Sequence, residues 1–237
     1  MKSKPLLLAL ATLLLTPLRA ADAPKKLTDA DIKDDPALPR VLIIGDSVSM
    51  AYTQPLRDAL AGKANVHHPD ANCGSTKIGL RDLDQWLGAK KWDVIHFNWG
   101  LHDLGYRFDN DTNLNAKGEY ATPNNGGHQN VPSAEYEKKL RELVTRLKKT
   151  SAKLIFATTT PVSADLHSYV KAAELPYNEA ALRVMKETGI GVNALWSFAK
   201  LRIAELQIPG NPHFTTKGSA ALAQKVAESI KAALARP

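Results

Sequence analysis

Val41-Leu42-Ile43-Ile44-Gly45-Asp46-Ser47-Val48-Ser49-Met50-Ala51-Tyr52 is the stretch from which the fold can be read. Four consecutive large aliphatic residues leave no polar face, which is the pattern of a strand covered on both sides inside a parallel sheet. Gly45-Asp46-Ser47 ends the run, and Met50, Tyr52, Leu56 and Leu60 then share a helical face that Gly62 can stop. Ser47 thus stands where a strand ends and a helix begins. Open α/β sheets hold ligands at such turns, where unpaired N–H groups and the helix dipole favour negative charge. A serine there can be a nucleophile; equally, Asp46 and Ser47 can simply cap the helix, a role both residue types favour.

The alternation continues along the chain. Asn65-Val66-His67-His68 reads as a short strand whose two histidines point to opposite faces, both expected at the surface or a loop edge. A polar turn around Gly74 leads to a helical stripe of Ile78, Leu80, Leu83 and Leu87. Trp92 to Trp99 is a third strand, ending in Gly100-Leu101-His102-Asp103. Residues 105–131 hold four glycines and six asparagines with little periodicity, a long loop insertion of the kind that covers a site or is spacer. Ser133 can cap a helix with Tyr136, Leu140, Leu143, Val144 and Leu147 on one face, and Ala152 to Val162 is a fourth strand. A helix around 178–187, a strand at 190–192, a helix to about 206 and a terminal helix capped by Thr215 complete the pattern. Such alternation predicts one α/β domain, a parallel sheet with helices on both faces.

The first twenty residues have the pattern of a cleaved export signal: Lys2 and Lys4, an apolar run from Leu6 to Leu15, and the small residue Ala20 before the expected cut. The run is short of the ~20 residues a membrane span needs. A secreted or periplasmic protein without a stable span is expected, with a flexible segment at 21–39 and the folded domain over 40–237. Of 31 basic residues, Lys2, Lys4 and Arg19 leave with the signal, so 28 face 24 acidic ones and the net charge falls from +7 to +4. The remaining lysines and arginines are scattered over helices, and no nucleic-acid partner is expected. One cysteine, Cys73, excludes an intrachain disulfide.

Three points combine chemistry with a strand-end or pre-helix position: Ser47, the Gly74 turn with the Gly100–Asp103 turn, and His213 in Pro209-Gly210-Asn211-Pro212-His213-Phe214. A doubly wound sheet brings such turns to one edge. A nucleophilic serine needs a base within hydrogen-bond reach and donors for the oxyanion, which these turns can supply. Seven histidines compete for the base role, and a loop histidine is more often only polar surface.

Taken together, Gly45-Asp46-Ser47-Val48, Gly74, Gly100-Leu101-His102-Asp103 and His213 before a terminal helix resemble the four blocks of the SGNH (GDSL-type) hydrolases. The resemblance covers about Arg40 to the C-terminus. It implies a flavodoxin-like three-layer α/β/α sandwich and ester hydrolysis through an acyl-enzyme, without cofactor or metal. Ser47 would be the nucleophile and His213 the base, with the Ser47 and Gly74 N–H groups and a side chain of the third block forming the oxyanion hole. The chain departs from the pattern twice. His102 stands where the third block has asparagine, and Gly210 stands three residues before His213 where the last block has aspartate. His102 can still donate one N–H, with Asn98 as a lesser alternative donor, and Asn211 or a backbone carbonyl can orient His213. Asp103 reads as structural.

The expected substrate is a small-molecule or glycan ester, with Asn98, Trp99, Tyr106 and Tyr120 near the rim; Trp99 can instead be core. A catalytically degenerate binding protein on the same fold is the alternative, because no acid stands at Gly210. Metal-dependent hydrolysis through His67, His68, His96 or His102 lacks ligand spacing. Cys73 reads as a small buried thiol.

Overall fold

The computed structural model describes residues 28–162 and 169–235, so the expected signal lies outside the described residues. In chain order the elements are β1 (Arg40–Ile44), α1 (Ser47–Ala59), β2 (Asn65–His67), α2 (Thr76–Leu87), β3 (Val94–Phe97) and α3 (Leu101–Leu104). They continue as β4 (Tyr106–Arg107), β5 (His128–Gln129), α4 (Ser133–Leu147), β6 (Lys153–Ala157) and α5 (Glu174–Thr188). The last are β7 (Gly191–Asn193), α6 (Leu195–Lys200), α7 (Ile203–Leu206) and α8 (Thr216–Leu234).

Five strands form one parallel sheet in the order β2-β1-β3-β6-β7. The aliphatic run that opened the reading is its second strand, with Val41 to Ile44 all buried, as a strand covered on both faces must be. On one face α1 packs along α8; on the other, α2, α4 and α5 pack in succession. This is the α/β/α sandwich, and its strand order is the flavodoxin-like one. The order reverses between β1 and β3, so a crevice opens beyond their C-terminal ends, and Ser47 and His102 follow those two strands. The 105–131 insertion is anchored by the small antiparallel pair β4–β5, with Tyr106 opposite Gln129 and Arg107 opposite His128.

The N-terminal segment differs from expectation over 28–39. Asp35 N–H donates to Asn65 Oδ1 (2.9 Å), and Asn65 Nδ2 returns bonds to the carbonyls of Asp35 and Leu38. Each ring nitrogen of His67 lies 2.7 Å from a carboxylate, Nδ1 from Asp29 and Nε2 from Asp34. His67 and His68 are therefore buried rather than at the surface: residues 28–35 cover the sheet edge where both emerge. A clasp made of polar contacts leaves no hydrophobic period, which is why the sequence reads as unstructured there.

Candidate active site

Ser47 opens α1, where its own N–H is among the first-turn donors that a helix leaves without an intrahelical acceptor. The preceding Asp46 caps this turn, its carboxylate accepting the Val48 N–H at 2.9 Å. His213 lies 166 residues further on, in the connection between α7 and α8. That connection is tied at both ends. Ile208 N–H donates to His213 O (3.0 Å) and Gln207 Nε2 to Pro161 O (2.9 Å), while Thr215 N–H donates to Leu206 O (2.9 Å) and its hydroxyl accepts the Gly218 N–H (3.0 Å). A Cβ on Gly218 would sit 2.1 Å from Leu206 O, so only glycine lets α8 begin this close to α7. Because α8 packs along α1, the loop delivers His213 Nε2 to 2.8 Å from Ser47 Oγ.

The tautomer follows from Asn211. Its Oδ1 accepts the backbone N–H of His213 (2.9 Å), and a main-chain N–H can only donate, so this atom is the amide oxygen. The same oxygen lies 2.6 Å from His213 Nδ1, which must then carry the proton. The Nε2 lone pair is left facing the Ser47 hydroxyl, as a general base requires. Gly210, where an acid was looked for, adopts φ +63° in the turn, with no atom within 4 Å of a built Cβ. The orienting group is thus a neutral amide one residue before Pro212.

The oxyanion side differs in detail from expectation. His102 lies in α3, lining the same cleft as His213. Burial, and then the nearby Arg107, hold its pKa below the ordinary imidazole value, against the opposing carboxylate of Asp46. A neutral ring has one N–H to offer an oxyanion. The Gly74 N–H, by contrast, already donates to Asn72 Oδ1 at 2.9 Å, so it reaches a substrate oxygen only if that side chain yields. Asp103 is structural: it is fully buried, accepts both the Thr76 N–H and the Thr76 hydroxyl, and so ties the second strand-end turn to the third. Burial pushes its carboxyl up to about 7, with the Thr76 bonds pulling the other way.

Of the expected rim residues, Trp99 belongs to the interior and Asn98 is half-buried with its amide engaged. Asn98 Nδ2 donates to Ala157 O (2.7 Å) and Thr159 Oγ1 (3.2 Å), bridging the ends of β3 and β6, so its amide is already engaged. Trp99 is wholly buried, its Nε1 bonded to Cys73 O (3.3 Å) and its ring laid where a Cβ on Gly79 would be only 2.8 Å away. Cys73 is buried, and desolvation pushes its thiol up to about 12. Three further histidines have partners of their own: His67 with Asp29 and Asp34, His68 with Ser49 and Pro69 O, His96 with Asn193.

Tyr106 does line the cleft, a hollow of about 340 Å³ that also takes in Arg107, Tyr120 and Tyr169 beside His102 and His213. Arg107 and Tyr169 escaped the sequence reading. Tyr169 had a usable signal, since it lies in the loop leaving β6 at the same sheet edge; Arg107 had none beyond following the third turn.

No family model and no curated protein sequence matches the chain. Solved structures match its fold. A lipase/acylhydrolase from Enterococcus faecalis superposes with a TM-score of 0.65 at 14% identity, covering 82% of this chain and 96% of its own. The acetyl xylan esterase AlAXEase gives 0.63 at 14% identity over 81% and 99%. Axe2, an acetylxylan esterase from Geobacillus stearothermophilus, gives 0.63 at 16% identity over 81% and 94%. The chain has the fold of these structures.

Proposed function

We propose that this protein is an SGNH-type serine esterase, exported to the periplasm or beyond, that hydrolyses carboxylic esters of small molecules or glycans. The observation that carries the reading is the Ser47 Oγ–His213 Nε2 contact of 2.8 Å with Nδ1 committed to Asn211 Oδ1. The names of structures sharing the fold, esterases and acylhydrolases among them, support it. In this mechanism Ser47 Oγ attacks the ester carbonyl carbon as its proton passes to His213 Nε2. The carbonyl π electrons move onto the oxygen, which the Ser47 N–H and the His102 N–H receive. Collapse re-forms the carbonyl and expels the alcohol oxygen, which takes the proton from His213. Water then repeats the sequence on the acyl-enzyme and restores both residues.

The orienting amide stabilises the imidazolium less than a carboxylate would. A slower enzyme than one with an acidic partner is expected, not an inert one. The non-catalytic alternative draws on the same fact and on the occupied Gly74 N–H. One experiment separates them: a fluorophosphonate probe with mass mapping of the adduct. Labelling at Ser47, abolished in Ser47→Ala and His213→Ala, is the expected result. Absence of labelling in a folded wild-type protein would favour the binder.

A further inference from the structure

Among the described residues that line the cleft beside His213, one is permanently charged. Of the residues lining it, only Arg107 is ionised irrespective of pH, the rest being tyrosines, histidines, asparagines, glycines and a proline. Arg107 is half-buried on β4, and among the described residues no carboxylate lies within ion-pair distance of it. Two described acids of this region are otherwise engaged. Asp109, two residues on, reaches His128 Nε2 at 3.3 Å, and Asp46 is buried against the Val48 N–H. Arg107 lines the cleft together with His102 and Tyr169, and its charge acts on both against that of the Asp46 carboxylate. The adjoining hollow, which shares Gly210 with this one, adds Lys171 and Lys200, with Glu174 as its carboxylate.

A half-buried guanidinium with no carboxylate beside it among the described residues is an unfavourable arrangement unless a ligand supplies the anion. Its planar fork fits the two oxygens of a carboxylate or a sulfate group. The catalytic geometry says which half of the ester that anion is on. His213 must hand its proton to the leaving oxygen, so the alcohol portion is set beside His213, which lines the same cleft as Arg107. Tyr106 and Tyr169 offer flat apolar faces beside the charge, as a sugar ring requires.

We infer that the substrate is an ester whose alcohol portion carries a carboxylate or sulfate group, an acylated acidic sugar being the form that fits, and that Arg107 binds that anion. The inference rests on the esterase reading above and specifies its substrate class.

The test uses matched acetates: 3-acetoxybenzoate, 3-acetoxybenzenesulfonate and the neutral 3-acetoxybenzamide, each rate divided by the hydroxide rate of the same ester. Wild type should favour at least one anionic ester over the amide by about tenfold or more in kcat/KM, mainly through KM, as a bond to a charged partner implies. That ratio should shrink in high salt. It should fall towards one in Arg107→Gln and be partly kept in Arg107→Lys, which retains charge without the fork. Whichever anion is preferred identifies the group, carboxylate or sulfate. Equal normalised rates in wild type, or a ratio untouched by Arg107→Gln, would overturn the inference while leaving an esterase. No turnover of any of the three with no fluorophosphonate label would instead sink the esterase reading.

Discussion

At the scale of single residues, the proposed chemistry turns on Asn211 and His102, to which it gives work that other side chains do in the resembling family. Asn211 presents its oxygen to His213 Nδ1, so the tautomer is right and only charge compensation is missing. Asn211→Asp should therefore raise kcat/KM, by roughly tenfold if the gain is that of a charged over a neutral hydrogen bond, and move the acidic limb of the pH–rate profile to higher pH. Asn211→Ala should lower it, since nothing then holds the ring. For His102, loss of one oxyanion donor costs about 10²–10³ in kcat in comparable sites. His102→Ala should show a loss of that order with KM little changed, and His102→Asn should recover much of it. Steady-state kinetics on an aryl acetate checks both; matching rates for Ala, Asn and wild type would make His102 a bystander.

At the scale of elements, the strand-end turns are built around glycine and a buried carboxyl. Gly100 has φ +154°, and a Cβ there would lie 2.1 Å from Thr159 Oγ1, on the loop that Asn178 pins with two hydrogen bonds. Gly100→Ala should destabilise the protein by about 2–3 kcal/mol in urea unfolding and displace His102, reducing activity as well. Asp103 raises a question of sign. Its folded carboxyl sits at about 7 against an ordinary 3.8, so the folded state holds the proton more tightly. The contribution of this group to stability is then fully present below pH ~4 and declines as pH rises towards 7, by roughly 4 kcal/mol at most. Asp103→Asn should remove that decline; an unchanged pH dependence in the variant would contradict the assignment.

At the scale of the whole molecule, a buried histidine far from the chemistry opposes Asp103. His96 is fully enclosed between β1 and β6, and desolvation pushes it down to about 3. Unfolding lets it take up a proton. Stability from this group is present above pH ~6.5 and lost as pH falls towards 3, by roughly 5 kcal/mol. His96→Leu should flatten the acid side of the stability curve, measured by denaturant titration from pH 4 to 8. Because His96 and Asp103 act in opposite directions over overlapping windows, only the two variants measured separately resolve them.

The N-terminal clasp also acts on the whole molecule: with His67→Ala, residues 28–39 should release and trypsin should cut at Lys33 in the native protein, while wild type resists there. The sheet, its helices and the four reactive turns were legible in the chain because core faces are written locally, as periods of two and 3.6 residues and as glycine-bearing breaks at Gly45, Gly74 and Gly100. From these the sequence by itself determined a parallel α/β sandwich, with Ser47 and His213 as the groups to join. The tertiary structure alone decided that Asn211 bonds to His213 Nδ1, that Asn72 occupies the Gly74 N–H, that Trp99 is core, and that Arg107 lines the cleft. The physical reason is that a hydrogen bond or a buried charge is defined by partners brought together across the fold, and loop side chains carry no periodicity from which that partner can be read.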